Sequence, residues 1–220
     1  MNRMQLARLL DHTLVAANAT QADITALCDE AVAHGIGCVA VNSVWAPYCA
    51  RSLSGKGVTV CACVGFPLGA ATARVKTEEA REAVRYGAAE IEMVISIGAL
   101  RSGFPDFVEK EIAMVVKGVP GAPVKAVLET GFLTDAEKDQ ACRIAVNAGA
   151  AFVSTATGYG RSGATVDDVR LMRRVVGNRI GVKAAGGIRS YAEALHFLQA
   201  GATRIGSSAG VAILAEAPER

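Results

Sequence analysis

Apolar and polar positions along the chain follow two alternating periods. Short apolar segments rich in Val, Ile and Ala are separated by longer segments with a helical period, and a glycine often closes the helical segment. The predicted strands are 9–15, 37–42, 58–66, 90–97, 124–130, 151–157, 181–185 and 204–208. The predicted helices are 21–34, 46–53, 74–86, 104–117, 135–147, 166–176, 191–200 and a short one ending at 215.

Eight apolar strands that alternate with helices are typical of a parallel sheet covered by helices. We therefore expect an α/β fold, a closed (β/α)8 TIM barrel forming a single domain over 1–220. The main alternative is a doubly wound open sheet. That fold favours a Gly-x-Gly-x-x-Gly turn after an early strand, which the sequence lacks.

Charge and cysteine content narrow the range of partners. The formal net charge is +2 without a basic run, so we expect neither nucleic acid nor membrane as a partner. The start Met-Asn-Arg-Met-Gln has no signal-peptide pattern, and the six cysteines lie in apolar segments, which favours a cytoplasmic protein with free thiols. Cys61 and Cys63 share one face of a strand, but no further ligand has metal-site spacing, so buried thiols are the preferred interpretation.

Strand alternation predicts which side chains point into the barrel. The predicted inward set is Asp11, Glu90, Glu92, Ser96, Lys125, Val127, Glu129, Phe152, Ser154, Ala156 and Lys183. A barrel interior is usually filled by branched apolar side chains, so charged residues gathered there indicate an acid/base site. The alternative is an ion-pair network that only stabilises the barrel. His12 has the opposite parity and is predicted to be a hydrogen-bonded core residue.

Two late glycine turns predict where an anion binds. Gly186, Gly187 and Arg189 follow one predicted strand, and Gly206, Ser207 and Ser208 follow the next; these are the strand ends that commonly hold phosphate in such barrels. We expect backbone N–H groups, the Arg189 side chain and the serine hydroxyls to act as donors, with the glycine-rich loop 158–163, beginning at Gly158, lying over the ligand.

The motifs together resemble the deoxyribose-phosphate aldolase family over nearly the whole chain. They are Asp-His-Thr-Leu at 11–14, Val-Gly-Phe-Pro-Leu-Gly at 64–69, Ile-Gly-Ala-Leu at 97–100, Val-Lys-Ala-Ala-Gly-Gly-Ile-Arg at 182–189 and Arg-Ile-Gly-Ser-Ser at 204–208. The resemblance implies a class I aldolase without metal or other cofactor. It also implies a homodimer that joins acetaldehyde to glyceraldehyde 3-phosphate through a lysine Schiff base, with Lys183 as the second lysine that lowers the pKa of the nucleophile.

The sequence departs from the family pattern at the reaction centre. Where the family usually has Phe-Val-Lys-Thr-Ser-Thr-Gly, residues 152–158 are Phe-Val-Ser-Thr-Ala-Thr-Gly, so Ser154 replaces the Schiff-base lysine. Glu92 replaces an aspartate, Ser96 an asparagine, and Ala16-Ala17 a frequent Lys-Pro. Serine cannot form an imine with an aldehyde.

Three hypotheses remain open. The amine has moved to Lys183, its pKa lowered by desolvation, with Glu92 as proton carrier. Alternatively, the phosphate site persists but the chemistry is imine-independent acid/base catalysis. Finally, the protein is a catalytically silent sugar-phosphate binder. In all three, Asp11 and Lys125 complete the candidate site.

Overall fold

The strands close into one parallel barrel in chain order, as the sequence predicts. A computed structural model describes residues 1–219, and its eight strands pair as β1-β2-β3-β4-β5-β6-β7-β8 with β8 returning to β1. The strands are β1 Leu10–Leu14, β2 Cys38–Asn42, β3 Thr59–Val64, β4 Glu90–Val94, β5 Val124–Val127, β6 Phe152–Ser154, β7 Gly181–Ala185 and β8 Arg204–Ser207.

Helices surround the barrel, and most of them begin at a side-chain cap. Thr20, Thr134 and Ser190 each accept a hydrogen bond from the backbone three residues on, which fixes the starts of α2, α7 and α9. The helices are α1 Arg3–Ala7, α2 Gln21–Ala33, α3 Ala46–Ser52, α4 Ala73–Arg85, α5 Ile97–Arg101, α6 Pro105–Gly118, α7 Asp135–Asn147, α8 Val166–Val176, α9 Tyr191–Gln199 and α10 Gly210–Ala215. The sequence pattern did not predict α1 or α5. Among the described residues, no helix has the length and apolar character needed to cross a bilayer.

Several predicted strands end earlier than their apolar runs suggest, and at β4 and β5 this affects predicted inward residues. β4 stops at Val94, and Ser96 precedes α5 and donates its backbone N–H to Glu111, so the alternation that predicted its inward direction does not reach it. β5 stops at Val127, and Glu129 adopts a left-handed backbone with φ 54°. Parity no longer fixes a side-chain direction once the extended backbone has ended.

The main apolar core lies between the barrel and its helices. Ile91 and Met93 of β4 and Val182 and Ala184 of β7 are fully buried in it, as the alternation predicts. His12 also lies on this side, where Nε2 is 2.7 Å from Glu30 Oε2 of α2. The prediction of a hydrogen-bonded core histidine is therefore confirmed. The side chains that alternate with these along each strand therefore point into the barrel interior.

A buried ion pair attaches two helices to the end of β4. Lys76 of α4 and Glu111 of α6 are both fully buried, with Nζ 2.7 Å from Oε1. Lys76 also donates to the Val94 carbonyl at 2.8 Å, and Glu111 accepts from the Ser96 backbone at 2.8 Å. The pair thereby holds both sides of the point where β4 ends, just beyond Glu92.

We predict that Lys76→Met lowers the free energy of unfolding by about 3–5 kcal/mol, because it leaves the Glu111 charge buried without its partner. Adding Glu111→Leu should recover part of this loss, but not all of it, since the β4 backbone groups stay unpaired. Urea denaturation of both variants measures the difference. Arg81→Ala, which removes the exposed pair with Glu78, is the control and should cost less than about 1 kcal/mol.

Candidate active site

Asp11 is the centre of a charged network inside the barrel. It is fully buried on β1, and its carboxylate contacts a cation from each of three other strands. Oδ2 is 2.6 Å from Lys125 Nζ and 2.9 Å from Lys183 Nζ, and Oδ1 is 2.9 Å from Arg204 Nη1. The predicted inward direction of Asp11, Lys125 and Lys183 is thus confirmed.

Two further carboxylates complete the network. Glu92 Oε2 lies 2.6 Å from Lys183 Nζ, while Glu90 contacts Lys125 at 2.7 Å and Arg204 at 3.3 Å. Three carboxylates therefore face three cations, and the formal charges cancel. Mutual pairing is what makes burial of so many charges tolerable.

Arg204 is the network member that sequence reasoning did not assign to the interior. It begins β8 and pairs in register with Lys183, so the alternation applied to the other strands would have pointed it inward. Its guanidinium and Lys125 Nζ lie 5.7 and 5.9 Å from the centre of the Phe152 ring. This ring, predicted to point inward, supplies a cation–π surface beneath the network.

The network fixes the ionisation of its members. Burial would raise the pKa of Asp11, but Lys125, Lys183 and Arg204 outweigh burial and hold the pKa well below its usual range. Burial would likewise lower the pKa of Lys183, but Asp11 and Glu92 outweigh it and raise that pKa above the ordinary value. The expectation that desolvation lowers the pKa of Lys183 is therefore wrong: the carboxylates keep the resting amine protonated.

A cavity of about 330 Å³ opens above this network at the carboxyl ends of the strands. Lys183 and Glu92 are 1% and 5% exposed and form its deepest charged part. Asp11 and Lys125 lie below and do not line the cavity. Lys183 is the only lysine of residues 1–219 among the lining residues. The upper part of the network faces the cavity, and the lower part is enclosed by the barrel.

The predicted phosphate residues all line this cavity. They are Gly158, Gly186, Gly187, Arg189, Gly206, Ser207 and Ser208. Gly186 and Gly187 have φ values of 97° and 82°, a backbone that residues with a Cβ rarely adopt. The two late turns therefore meet at one side of the cavity, as the sequence predicts.

Two of the predicted donors have other partners. The Ser207 hydroxyl donates to the Ile188 carbonyl at 2.6 Å, so it connects the two glycine turns. The Arg189 backbone N–H donates to Glu193 at 2.7 Å, as part of the cap of α9. The start of α9 is therefore closed by its own side chains, and the Arg189 side chain and exposed Ser208 are the better placed donors.

Ser154 occupies the barrel interior but not the cavity wall. It is fully buried and pairs in register with Lys183 on the adjacent strand. In the described part of the chain, its Oγ has no hydrogen-bond partner. Ala156, two residues later, does line the cavity. Position 154, where the resemblance predicts that serine replaces a lysine, is thus a buried hydroxyl next to the Lys183 strand.

Glu129 lies outside the charged network, contrary to the prediction that it joins the inward charges. Its Oε2 accepts hydrogen bonds from the Thr157 backbone at 3.1 Å and from the Thr157 hydroxyl at 2.5 Å. Burial raises the pKa of Glu129, and the Thr157 hydrogen bonds offset only part of this effect. Its place is beneath the loop that follows β6.

Several lining residues were not predicted as site residues, among them Cys63 and Phe66, whereas Tyr159 belongs to the loop 158–163 that was predicted to lie over the ligand. Cys63 could have been found from the alternation along β3, since it pairs in register with Glu92. The six cysteines are all free and buried, as expected. Asp11, Cys38 and Glu90 bring three potential metal-ligand atoms within 4.8 Å of one another, but Lys125 and Arg204 already neutralise both carboxylates.

Known proteins with the same arrangement share both sequence and fold with this chain. A family model described as DeoC/LacD family aldolase matches residues 6–216. A protein named deoxyribose-phosphate aldolase from Methanothermobacter thermautotrophicus is 53% identical over 213 residues, covering 96% of this chain and 95% of its own length. One of the same name from Streptococcus sanguinis is 50% identical over 211 residues, covering 96% of each chain.

Solved structures give the same result. The deoxyribose phosphate aldolase from Aeropyrum pernix, described as a unique tetrameric structure, is 32% identical with a TM-score of 0.90. The match covers 97% of this chain and 91% of that one. Because both the family model and the relatives extend over almost the full barrel, the chain belongs to the DeoC/LacD family of aldolases.

Proposed function

We propose that the protein is a carbon–carbon lyase that reversibly cleaves 2-deoxyribose 5-phosphate, or a related small phosphorylated sugar, to acetaldehyde and glyceraldehyde 3-phosphate. The observation that carries this proposal is the position of Lys183. Its amine lies at the bottom of the cavity, 2.6 Å from Glu92 and facing the glycine turns across one pocket. Family membership supplies the reaction class, and Lys183 supplies an amine where Ser154 cannot.

In the proposed reaction, Glu92 carries the protons. The Lys183 ammonium gives a proton to the Glu92 carboxylate, and the neutral amine attacks the aldehyde carbon of the open-chain sugar. A proton passes from the attacking nitrogen to the former carbonyl oxygen, which becomes a hydroxyl; protonated Glu92 then gives its proton to this hydroxyl, and water leaves as the iminium forms. The distance of 2.6 Å permits the transfer in both directions without rearrangement.

Cleavage uses the same two groups. Glu92 removes the proton from the hydroxyl on the carbon beyond the scissile bond, the bond electrons move to the iminium, and glyceraldehyde 3-phosphate departs. Glu92 returns that proton to the enamine carbon, and hydrolysis of the new iminium releases acetaldehyde and restores the Lys183–Glu92 ion pair. Asp11 and Lys125 do not touch the substrate in this scheme and act by holding Lys183 in place.

The phosphate group is assigned to the two late glycine turns. Gly186, Gly187 and Gly206 permit close approach of the backbone, and the Arg189 side chain adds a cation at the same side of the cavity. This places the phosphate at the rim and the aldehyde carbon at the Lys183 end.

A second candidate is favoured by the raised pKa of Lys183. If the ammonium persists, it can stabilise a developing oxyanion while Glu92 acts as acid or base, and no imine forms. A silent binder of sugar phosphates would have the same resting geometry. Covalent trapping separates the imine mechanism from both.

We predict that borohydride traps an adduct on Lys183 during incubation with acetaldehyde or with 2-deoxyribose 5-phosphate. Intact mass followed by peptide mapping identifies the modified residue. Lys183→Met should abolish trapping and turnover, whereas Lys110→Met, at an exposed lysine of α6, should leave both unchanged. Full activity in folded Lys183→Met would refute the assignment, and binding of the phosphate ester without any lysine adduct would favour the second candidate.

We predict that Glu92→Gln slows borohydride trapping at pH 7 and makes the trapping rate increase with pH. Without the carboxylate, Lys183 must lose its proton to solvent. Since Asp11 still holds its pKa high, the neutral fraction should rise about tenfold per pH unit below that pKa. In the wild type the internal transfer keeps the rate nearly flat over this range. Trapping rates from pH 6 to 9 measure both profiles, and parallel profiles would exclude Glu92 as the proton carrier.

We predict that Ser154→Lys moves the trapped adduct to position 154. The network is already neutral, so an added amine finds no free carboxylate and its pKa falls beside the Lys183 cation. Turnover should rise at least about tenfold, as expected for a nucleophile with a matched pKa. Ser154→Met, of similar volume but without an amine, is the control; equal turnover of the two variants would contradict the prediction.

Homodimer formation and a cytoplasmic location, both expected from the sequence, stay predictions. Light scattering coupled to gel filtration measures the assembly directly. Large apolar side chains remain exposed on α6 and before it, with Phe104 61% and Phe107 50% exposed.

A further inference from the structure

The loop 158–163 follows β6, its first two residues line the cavity, and Tyr159 joins it to the opposite side. The Tyr159 hydroxyl donates to the Val15 carbonyl at 3.1 Å, just beyond the end of β1. Its ring packs edge-on against Phe66, with ring centres 5.9 Å apart and planes at 90°. The loop from β6 is thus held at the ends of β1 and β3, although Tyr159 and Val15 are 144 residues apart in the chain.

Both ends of this loop are anchored independently of Tyr159. At its start, the buried Glu129 carboxylate accepts from Thr157, and the Thr157 hydroxyl accepts from the Tyr159 backbone at 3.0 Å. Gly160 lies so close to Glu129 that a Cβ there would overlap the carboxylate. At its far end, the Ala164 backbone donates to the Gly186 carbonyl at 3.0 Å, in the turn assigned to phosphate.

The segment between these two anchors is short, and the Tyr159 side chain contacts the opposite side of the cavity. Tyr159 is 54% exposed, so its position does not follow from burial. It lines the cavity on one side, and its hydroxyl ends at a backbone acceptor on the other. The Tyr159 hydrogen bond and edge contact involve neither the Glu129 carboxylate nor the Gly186 carbonyl that anchor the two ends.

We propose that Tyr159 is a positioning residue that latches the 158–163 loop over the cavity, so that a phosphorylated ligand enters and leaves when the Tyr159–Val15 bond breaks. The inference deepens the proposed function, because it concerns closure over the same pocket. It does not require that the bound ligand reacts. A ligand phosphate held beneath Gly158 and Gly186 touches both ends of the loop and stabilises the closed form.

The loop carries its own reporter. Arg161 is exposed between the two anchors, so we expect trypsin to cut there faster when Tyr159 no longer holds the segment between them. Arg143, exposed on α7, reports helix or global opening in the same digest. When opening is fast relative to cutting, the cutting rate follows the population of the open loop.

We expect Tyr159→Phe to raise the rate of cutting after Arg161 about fivefold in the full-length protein, since a neutral hydrogen bond of this kind shifts an equilibrium by roughly that factor. Cutting after Arg143 should not change. Tyr86→Phe, at a similarly exposed tyrosine on the outside of the barrel, is the control and should match the wild type at both sites. Intact mass spectrometry during digestion measures each cut.

Ligand protection completes the test. Saturating 2-deoxyribose 5-phosphate should slow cutting after Arg161 in the wild type, and Tyr159→Phe should need a severalfold higher concentration for half-protection. Equal cutting in Tyr159→Phe and wild type would overturn the latch, as would equal increases at Arg161 and Arg143. Since these readouts need no turnover, a latch without borohydride trapping would overturn the lyase proposal alone, and trapping with an unchanged cutting rate would overturn the latch alone.

Discussion

The interior of this barrel depends on the Asp11 carboxylate. One buried carboxylate contacts Lys125, Lys183 and Arg204 within 3 Å, and each cation comes from a different strand. Burying three cations is tolerable only because Asp11, Glu90 and Glu92 supply an equal number of negative charges. Ion pairs join the strands in the interior, where branched apolar side chains would ordinarily do so. Glu90 contacts Lys125 and Arg204, and Glu92 contacts Lys183. Asp11 contacts all three cations and so connects these two groups.

The same electrostatics define the chemistry open to Lys183. The two carboxylates that make burial of Lys183 tolerable also raise its pKa. The side chain therefore rests as an ammonium, which must lose a proton before it can act as a nucleophile. In the proposed reaction Glu92 resolves this conflict, because it is both the partner that stabilises the charge and the acceptor for the proton. A lysine paired only with Asp11 would lack that route, since Asp11 keeps its own pKa very low beside three cations.

Sequence reasoning was most successful where backbone regularity lasts. Strand alternation placed Asp11, Lys125 and Lys183 inside the barrel, and glycine turns located one side of the cavity. It failed for Glu129 and did not extend to Ser96, because β5 and β4 end before their apolar runs do, and alternation is not guaranteed beyond the last extended residue. The loop that contains Tyr159 was predicted, but the contact of its side chain was not: its partner is a backbone carbonyl 144 residues away, and no local pattern encodes such a contact.

The charge balance of the barrel interior does not depend on the side chain at position 154. A Schiff-base lysine must be neutral to attack a carbonyl, so exchanging it for serine removes an amine without removing a charge. The three carboxylates and three cations remain balanced, and the buried hydroxyl beside Lys183 leaves no ion unpaired. By contrast, replacing Asp11 or Lys125 would leave a buried charge uncompensated, at a cost of about 3–5 kcal/mol. Position 154 is therefore a place where the electrostatics of the barrel tolerate a neutral side chain, and in the proposed reaction the Glu92 contact supplies the proton acceptor for the Lys183 amine.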